Sequence, residues 1–247
     1  MIRKALLVLA LVSLTAGVSR GESSRLMLSV ENKMPALHHL ELGALAQYED
    51  VPAVFPAWSD SEAYLVEPYA RFGLFRNFTV FTRVPYAAVE PDSGDSYDGL
   101  GDVSAGFELV AFEDYFDFPY IIPHAEVIFD TADEGLGYGD TRLLGGVAIG
   151  TVVDDQWHYV LDVGYMSSDD DDDLYRLSGG FVWDLNKQCS LLAEGLVTGE
   201  DYEDNSYTLY GQGGISYRPF EELSYVFYAG TGDAVDFSAA LKIAYSF

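Results

Sequence analysis

Apolar stretches long enough to cross a membrane as a helix are missing from the chain after its first 20 residues. The longest uncharged stretch there is Asn205–Tyr217, and it is rich in glycine, serine and glutamine. A membrane helix needs about 20 predominantly apolar residues. Two classes remain, a secreted globular domain and a protein that crosses a membrane with β-strands.

Cysteine and basic residues are also scarce. Cys189 stands alone, which excludes a disulfide framework. Only 13 lysines and arginines oppose 40 aspartates and glutamates, and the formal charge is −27. Such a chain repels phosphates, so nucleic acid is not an expected partner. No motif indicates a cofactor or a metal site, and none is predicted.

The N-terminus has the features of a secretory signal. Arg3 and Lys4 precede an apolar run from Ala5 to Leu14, and the small residues 15–17 follow it. The apolar run is too short for a membrane anchor. Residues 1–20 are therefore predicted to be a cleaved signal peptide.

Twelve segments with strand character follow one another at regular spacing, separated by turn-rich links. This spacing is typical of a barrel or a sandwich, and the lengths suit tilted strands that cross a bilayer. Ten or fourteen strands remain open if a hairpin has been split or merged. The predicted strand cores are 38–48, 63–73, 78–87, 101–112, 119–130, 141–152, 156–166, 174–184, 188–198, 206–217, 223–230 and 236–247.

The segments alternate apolar residues with small or polar ones. In the last segment Phe237, Leu241, Tyr245 and Phe247 share one face, while Lys242 lies on the other. Aromatic residues make up 15% of the chain and concentrate at segment ends. Alternation with aromatic residues at both ends is the signature of a transmembrane β-barrel.

The links between the segments fall into two alternating kinds. This alternation is expected of periplasmic turns and extracellular loops, and it places both termini on the periplasmic side. The short links are 73–77, 113–118, 154–155, 185–187 and 218–222, and the longer or acidic ones are 49–62, 88–100, 131–140, 167–173, 199–205 and 231–235. Residues 21–37 form a separate N-terminal segment in the periplasm or the lumen, in which 25–30 is either a short strand or an insertion into the barrel.

Five basic and six acidic residues, Glu41 among them, fall on the faces predicted to point into the barrel, and ten of these are predicted to line the lumen. An arginine or lysine facing lipid at mid-depth costs about 2–4 kcal/mol, so an inward position is expected. The sequence leaves two interpretations open, a network of ion pairs that fills the barrel and a charged constriction in a pore. The ten are Glu67, Arg71, Arg83, Glu108, Glu126, Arg142, Asp162, Arg176, Glu194 and Lys242.

Histidines and acidic loops suggest two further functions. His124 and His158 lie on inward faces near Glu126 and Asp162, but no serine partner is identifiable, so a hydrolase is a third alternative and no catalytic residue is predicted. The acidic links, such as 169–173, form a solvated surface or bind divalent cations near lipopolysaccharide.

Part of the chain resembles a known family, from Gly99 to Phe247 and more loosely from Phe75 to Tyr86. The motif Gly99-Leu100-Gly101-Asp102, the strand that begins at Pro119, the Gly-rich loop 133–137 and the closing Tyr245-Ser246-Phe247 are similar to the outer-membrane proteins named for the meta-cleavage pathway of phenol degradation. The resemblance implies an outer-membrane barrel that passes hydrophobic or aromatic compounds. It implies no binding residues. At 128–132, where the family reads Lys-Leu-Pro-Thr-Gly, this chain reads Ile-Phe-Asp-Thr-Ala.

We therefore predict an all-β protein, an antiparallel up-and-down barrel of about 12 strands over residues 38–247 in the bacterial outer membrane. The predicted function is passive passage of small solutes, without enzymatic activity, and the alternative is a non-conducting structural barrel. Expected partners are outer-membrane lipid, lipopolysaccharide and a small solute. The terminal strand with Tyr245 and Phe247 is expected to close the barrel and to be read by the barrel-assembly machinery.

Overall fold

The computed structural model describes residues 23–31, 33–51, 61–92, 95–112, 119–168, 173–200 and 207–247. The predicted signal peptide and most of the acidic links 49–62, 167–173 and 199–205 lie outside them. The described strands are β1 (Leu40–Val51), β2 (Ser61–Phe75), β3 (Phe78–Arg83), β4 (Tyr86–Pro91), β5 (Tyr97–Leu100), β6 (Ser104–Leu109), β7 (Tyr120–Ile128), β8 (Arg142–Val153), β9 (Trp157–Ser167), β10 (Leu174–Asp184), β11 (Cys189–Glu200), β12 (Tyr207–Phe220), β13 (Leu223–Gly232) and β14 (Val235–Ser246).

These strands form one closed antiparallel sheet. Neighbours along the chain pair with each other, and β1 pairs with both β2 and β14, so the sheet has no free edge there. β3 and β4 lie end to end beside β2 and make one wall strand. β5 and β6 make the next one beside them. The fourteen segments therefore build a barrel of 12 strands, and the predicted fold class is confirmed.

The break between β3 and β4 occurs where the backbone cannot continue the ladder. Val84-Pro85 separates β3 from β4, and proline has no N–H to donate. Its carbonyl instead accepts a hydrogen bond from the N–H of Gly101, in the gap between β5 and β6. The sequence predicted one continuous strand over 78–87 and a long link over 88–100. The link is wrong, because most of β4 and all of β5 lie within it, and the joint shared by two neighbouring wall strands was therefore missed.

The outer surface of the barrel is apolar. Exposed side chains on the central strands include Leu143, Leu161, Val163, Leu209 and Phe227. A soluble protein does not expose an apolar surface of this extent, whereas a barrel in lipid requires it. Alternate residues of the same strands are buried, which confirms the period-2 alternation.

Aromatic rings cluster at both ends of the barrel wall. Trp157 and Trp183 stack at 4.8 Å at one end, and Tyr165 and Tyr175 lie 5.2 Å apart at the other. Amphipathic rings favour the interface between lipid and water. The two aromatic bands therefore mark the depth at which the barrel sits in a bilayer.

The two ends of the barrel differ in their described connections. At the end that carries Leu40 and Phe247, a three-residue turn joins β8 to β9, and Asp154 and Asp155 adopt positive φ in it. The opposite end holds the longer connection 129–141. One predicted long link is in fact short, because β13 and β14 are joined by Asp233 and Ala234 alone. In the part of the chain described, no helix is long and apolar enough to span a membrane.

Candidate functional site: the barrel lumen

A segment of the chain before β1 lies inside the barrel. We call residues 23–31 and 33 the plug. The carbonyl of Leu28, in the middle of the plug, accepts a hydrogen bond from Ser178, near the centre of β10. Arg25 and Glu31 form a salt bridge nearer the Leu40 end. The plug is thus a loop that enters the barrel from the end that carries Leu40 and Phe247.

Acidic wall residues bind the N–H groups of the plug. Glu194 accepts three hydrogen bonds, from the N–H groups of Met27 and Leu28 at 2.9 Å and of Ser29 at 3.1 Å. Asp162 accepts a fourth from the N–H of Val30 at 3.1 Å. Successive N–H groups that converge on one carboxylate form an anion-binding nest, a backbone arrangement with a fixed positive partial charge.

Basic wall residues bind the carbonyl groups of the plug. Lys242 donates to the carbonyl of Ser24 at 2.9 Å, and Arg71 donates to that of Lys33 at 3.0 Å. Arg176 donates to the carbonyl of Leu28, which also accepts from Ser178. Five of the ten predicted interior residues therefore contact the plug backbone: Arg71, Asp162, Arg176, Glu194 and Lys242.

The plug is also held by its own charged pair. Arg25 forms a salt bridge with Glu31 at 2.6 Å and a second one with Asp184 on β10. Burial opposes ionisation of Glu31, but the charge and hydrogen bonds of Arg25 outweigh it and hold the pKa of Glu31 below its ordinary value. The plug therefore keeps its own carboxylate ionised and paired.

An apolar core surrounds the plug. Leu26 is buried among Ile122, Val182, Leu192 and other inward residues of the wall. Its side chain fits against Gly180, where an added Cβ would lie 2.5 Å from Leu26 Cδ1. Glycine at 180 thus makes the recess that the leucine fills, and the Leu40 end of the lumen is packed like the interior of a soluble domain.

The rest of the wall carries three groups of charges. Arg71 binds Glu108 at 2.6 Å and lies 3.5 Å from Glu41. Arg83 binds Glu126 at 3.2 Å. Nearer the other end, Arg142 pairs with Asp140 at 2.8 Å. The remaining predicted residue, Glu67, lies 3.9 Å from Arg83 Nε.

The long connection 129–141 folds against the broken wall strand. Asp102 accepts hydrogen bonds from the N–H groups of Thr131 and Ala132 at 3.0 Å and from that of Tyr138 at 2.7 Å. Leu136 of the connection is buried against β2 and β4. The Asp of the Gly-Leu-Gly-Asp motif thus fixes the loop at the mouth, a role that the sequence did not reveal.

The inward histidines pair with carboxylates. His124 Nε2 lies 2.9 Å from Asp162, and His158 Nε2 lies 2.8 Å from Asp184. Ser190 donates to Asp184 rather than to His158. A nucleophilic triad needs the histidine between serine and acid, and these residues do not have that order. Within the described residues, no group of three or more histidine, cysteine or acidic side chains is placed to hold a metal ion.

The sequence allowed an insertion of 25–30 into the barrel as one alternative, but it did not identify several of the residues that build the site. Arg25, Leu26 and Glu31 lie in a segment too short and irregular to show periodicity, and Gly180 is one of 24 glycines. Asp102 was visible only as part of the family motif. The match between the inward-facing Gly180 and Leu26 of the plug can be recognised only once the fold is known.

Comparisons with known proteins support the barrel. No family model matches the chain, and no curated protein is similar in sequence. An outer-membrane channel from Pseudomonas putida F1 matches with a TM-score of 0.70 and 14% identity, over 92% of this chain and 100% of that one. The KdgM porin matches with a TM-score of 0.60 and 12% identity, over 84% and 99%. The NanC porin matches with a TM-score of 0.57 and 9% identity, over 83% and 98%.

The shared feature of these proteins and this chain is the closed antiparallel wall. Closed barrels satisfy every backbone group within lipid, and bacterial outer-membrane proteins use them. With its apolar outer surface and aromatic bands, this chain is an outer-membrane β-barrel.

Proposed function

We propose that the chain is an outer-membrane channel for passive passage of small solutes, closed in this structure by its plug. The observation that carries the proposal is the chemistry of the plug contacts. The plug is held largely by polar wall groups that would line a hydrated path without it, namely Asp162, Arg176, Glu194 and Lys242. A barrel meant only to be filled would be more stable with apolar residues there.

Glu194 is the residue on which plug binding depends most, because it accepts three of the plug's N–H groups. Glu194→Gln keeps the shape but removes the charge. Losing about 1–3 kcal/mol of charge-assisted hydrogen bonding raises the open fraction about fivefold to a hundredfold. Planar-bilayer recording of the mature chain measures this open fraction.

The matched control is Glu221→Gln, which removes one carboxylate from an exposed turn at the Leu40 end. It should leave the open fraction unchanged. Retention of heat-modifiable migration on a denaturing gel establishes that each variant is folded. Silence of the wild-type chain and of folded Glu194→Gln alike would contradict the channel.

A non-conducting structural barrel is the second candidate, and the apolar core around Leu26 favours it. Such a core stabilises the closed state whatever the polar contacts do. The same bilayer recordings separate the two functions, since a structural barrel stays silent when Glu194 is neutralised.

We further infer that the chain belongs with the outer-membrane proteins named for meta-cleavage of phenol. The motif ending at Asp102 supports this, since that residue positions the loop at the mouth.

Residues 1–20 act as the export signal. Lipid and lipopolysaccharide surround the barrel, and we infer that the assembly machinery reads its terminal strand, in which the Tyr245 and Phe247 rings lie 4.8 Å apart.

A further inference from the structure

Arg83 is more exposed than the lumen arginines Arg71 and Arg142. Its side chain is 41% exposed, against 7% for Arg71 and 8% for Arg142. No described contact joins it to the plug. A charged group that stays hydrated inside a barrel is accessible to a passing solute.

The hydrogen bonds of Arg83 leave one edge of its guanidinium unused. Nη1 donates to Glu126 at 3.3 Å, and the group lies 4.9 Å from the centre of the Phe81 ring. Nε and Nη2 donate no hydrogen bond to any residue the structure describes. The Nε–Nη2 edge is planar and presents two parallel donors, which match the two oxygens of a carboxylate.

Glu67 supplies an unused acceptor beside this edge. Its Oε1 lies 3.9 Å from Arg83 Nε, which is too long for a hydrogen bond. No residue among those described donates a hydrogen bond to Glu67, although its side chain is 21% exposed. An unused donor pair and an unused carboxylate therefore lie side by side on the lumen wall.

We propose that Arg83 and Glu67 form a binding site for small solutes that carry a carboxylate next to a cationic donor, as α-amino acids do. The solute carboxylate binds the Nε–Nη2 edge of Arg83, and the ammonium group donates to Glu67. This site rests on the proposed channel function, because it is reached only through the lumen. Weak binding of this kind speeds passage when it is strong enough to favour entry and weak enough to permit exit.

Swelling of phosphatidylcholine vesicles that contain the refolded mature chain tests the site. Alanine and lactamide serve as probes, because they are isomers of equal size and zero net charge, and only alanine is a zwitterion. The wild-type ratio of alanine to lactamide rates is expected to be about threefold or more. Arg83→Gln and Glu67→Gln should each reduce it to about one, and the double variant should lower it no further.

Arg76→Gln is the control, since it removes one positive charge from an exposed turn outside the lumen. It should keep the wild-type ratio. All variants are repeated with Glu194→Gln, so that a small open fraction does not hide the ratio. Swelling with a ratio that Arg83→Gln and Glu67→Gln leave unchanged would overturn the site but not the channel, whereas no swelling with either solute would overturn both.

Discussion

At the residue scale, half of the ten predicted interior charges act as hydrogen-bond partners of the plug backbone. Glu194 accepts hydrogen bonds from three consecutive N–H groups of the plug, while Arg176 and Lys242 donate to its carbonyl groups. The N–H and C=O groups of a buried non-helical segment must be satisfied by something other than the segment itself. The wall charges meet that need, and so the same residues hold the plug and would line the path once it leaves.

The fit of Leu26 against the wall gives a prediction with a neighbouring control. Gly180→Val places methyl groups where Leu26 packs, so we expect the plug to be displaced and its amides to exchange about tenfold faster or more. Gly179 faces outward, and an added Cβ there meets only the carbonyl of Val160 at 3.8 Å. Gly179→Val should leave the exchange unchanged. Hydrogen–deuterium exchange of residues 24–31 measures both, and equal rates in the two variants would count against the packing.

What sequence reasoning can reach at this scale depends on the physical cost involved. A charge facing lipid is costly, so alternation alone pointed Glu194 and Arg176 inward. Their partners are backbone groups of residues 27–29, more than 140 residues away in the chain. Backbone groups are the same in every residue and leave no mark in the sequence. The sequence predicted a network between side chains, but half of the predicted residues instead bind the backbone of the plug.

At the element scale, the joint between two broken wall strands determines where the loop 129–141 lies. The N–H groups of Thr131, Ala132 and Tyr138 converge on Asp102, which lies in the gap between β5 and β6. In a continuous strand the N–H of Val103 would pair in the ladder, whereas here it donates to Thr131 Oγ1 of the loop at 2.8 Å. The break is thus what allows the loop to fold against the wall at the mouth.

Neutralising Asp102 should release that loop. The substitution Asp102→Asn keeps only one of the two acceptor oxygens and removes the charge, so it is expected to weaken loop attachment by about 1–3 kcal/mol. Faster amide exchange at Thr131, Ala132 and Tyr138 measures the effect. The control Asp98→Asn changes a carboxylate whose contact, with the Tyr86 hydroxyl, is exposed. A loop that exchanges as fast in Asp98→Asn as in Asp102→Asn would refute the specific role of Asp102.

The sequence predicted the elements well where period 2 was regular, as in β9 and β14, and less well where a proline interrupted it. Pro85 lies within an otherwise strand-like segment, and its effect on the neighbouring wall strand depends on pairing between strands. The length of the last outer connection was overestimated because Thr231 and Gly232 belong to β13 and Val235 to β14, where Gly232 pairs with Val235.

At the scale of the whole molecule, the start of the first wall strand, the last residue and the plug lie at one end of the barrel. The N–H of Phe247 donates to the carbonyl of Leu40 at 2.7 Å, so the last residue closes the wall beside the first strand. The long connection 129–141 lies at the opposite end. In outer-membrane barrels short turns face the periplasm and longer loops face outward, so we expect the plug to enter from the periplasmic side and the connection 129–141 to face outward.

This orientation can be tested with two single cysteines in a Cys189→Ser background. Glu134 is exposed in the connection 129–141, and Lys187 is exposed in the turn between β10 and β11 at the other end. We expect a membrane-impermeant maleimide to label Glu134→Cys in intact cells and Lys187→Cys only after the outer membrane is permeabilised. Because both sites are solvent-exposed in the folded barrel, unequal labelling reports sidedness rather than burial. The opposite pattern would invert the barrel and, with it, the side from which a solute reaches Arg83 and Glu67.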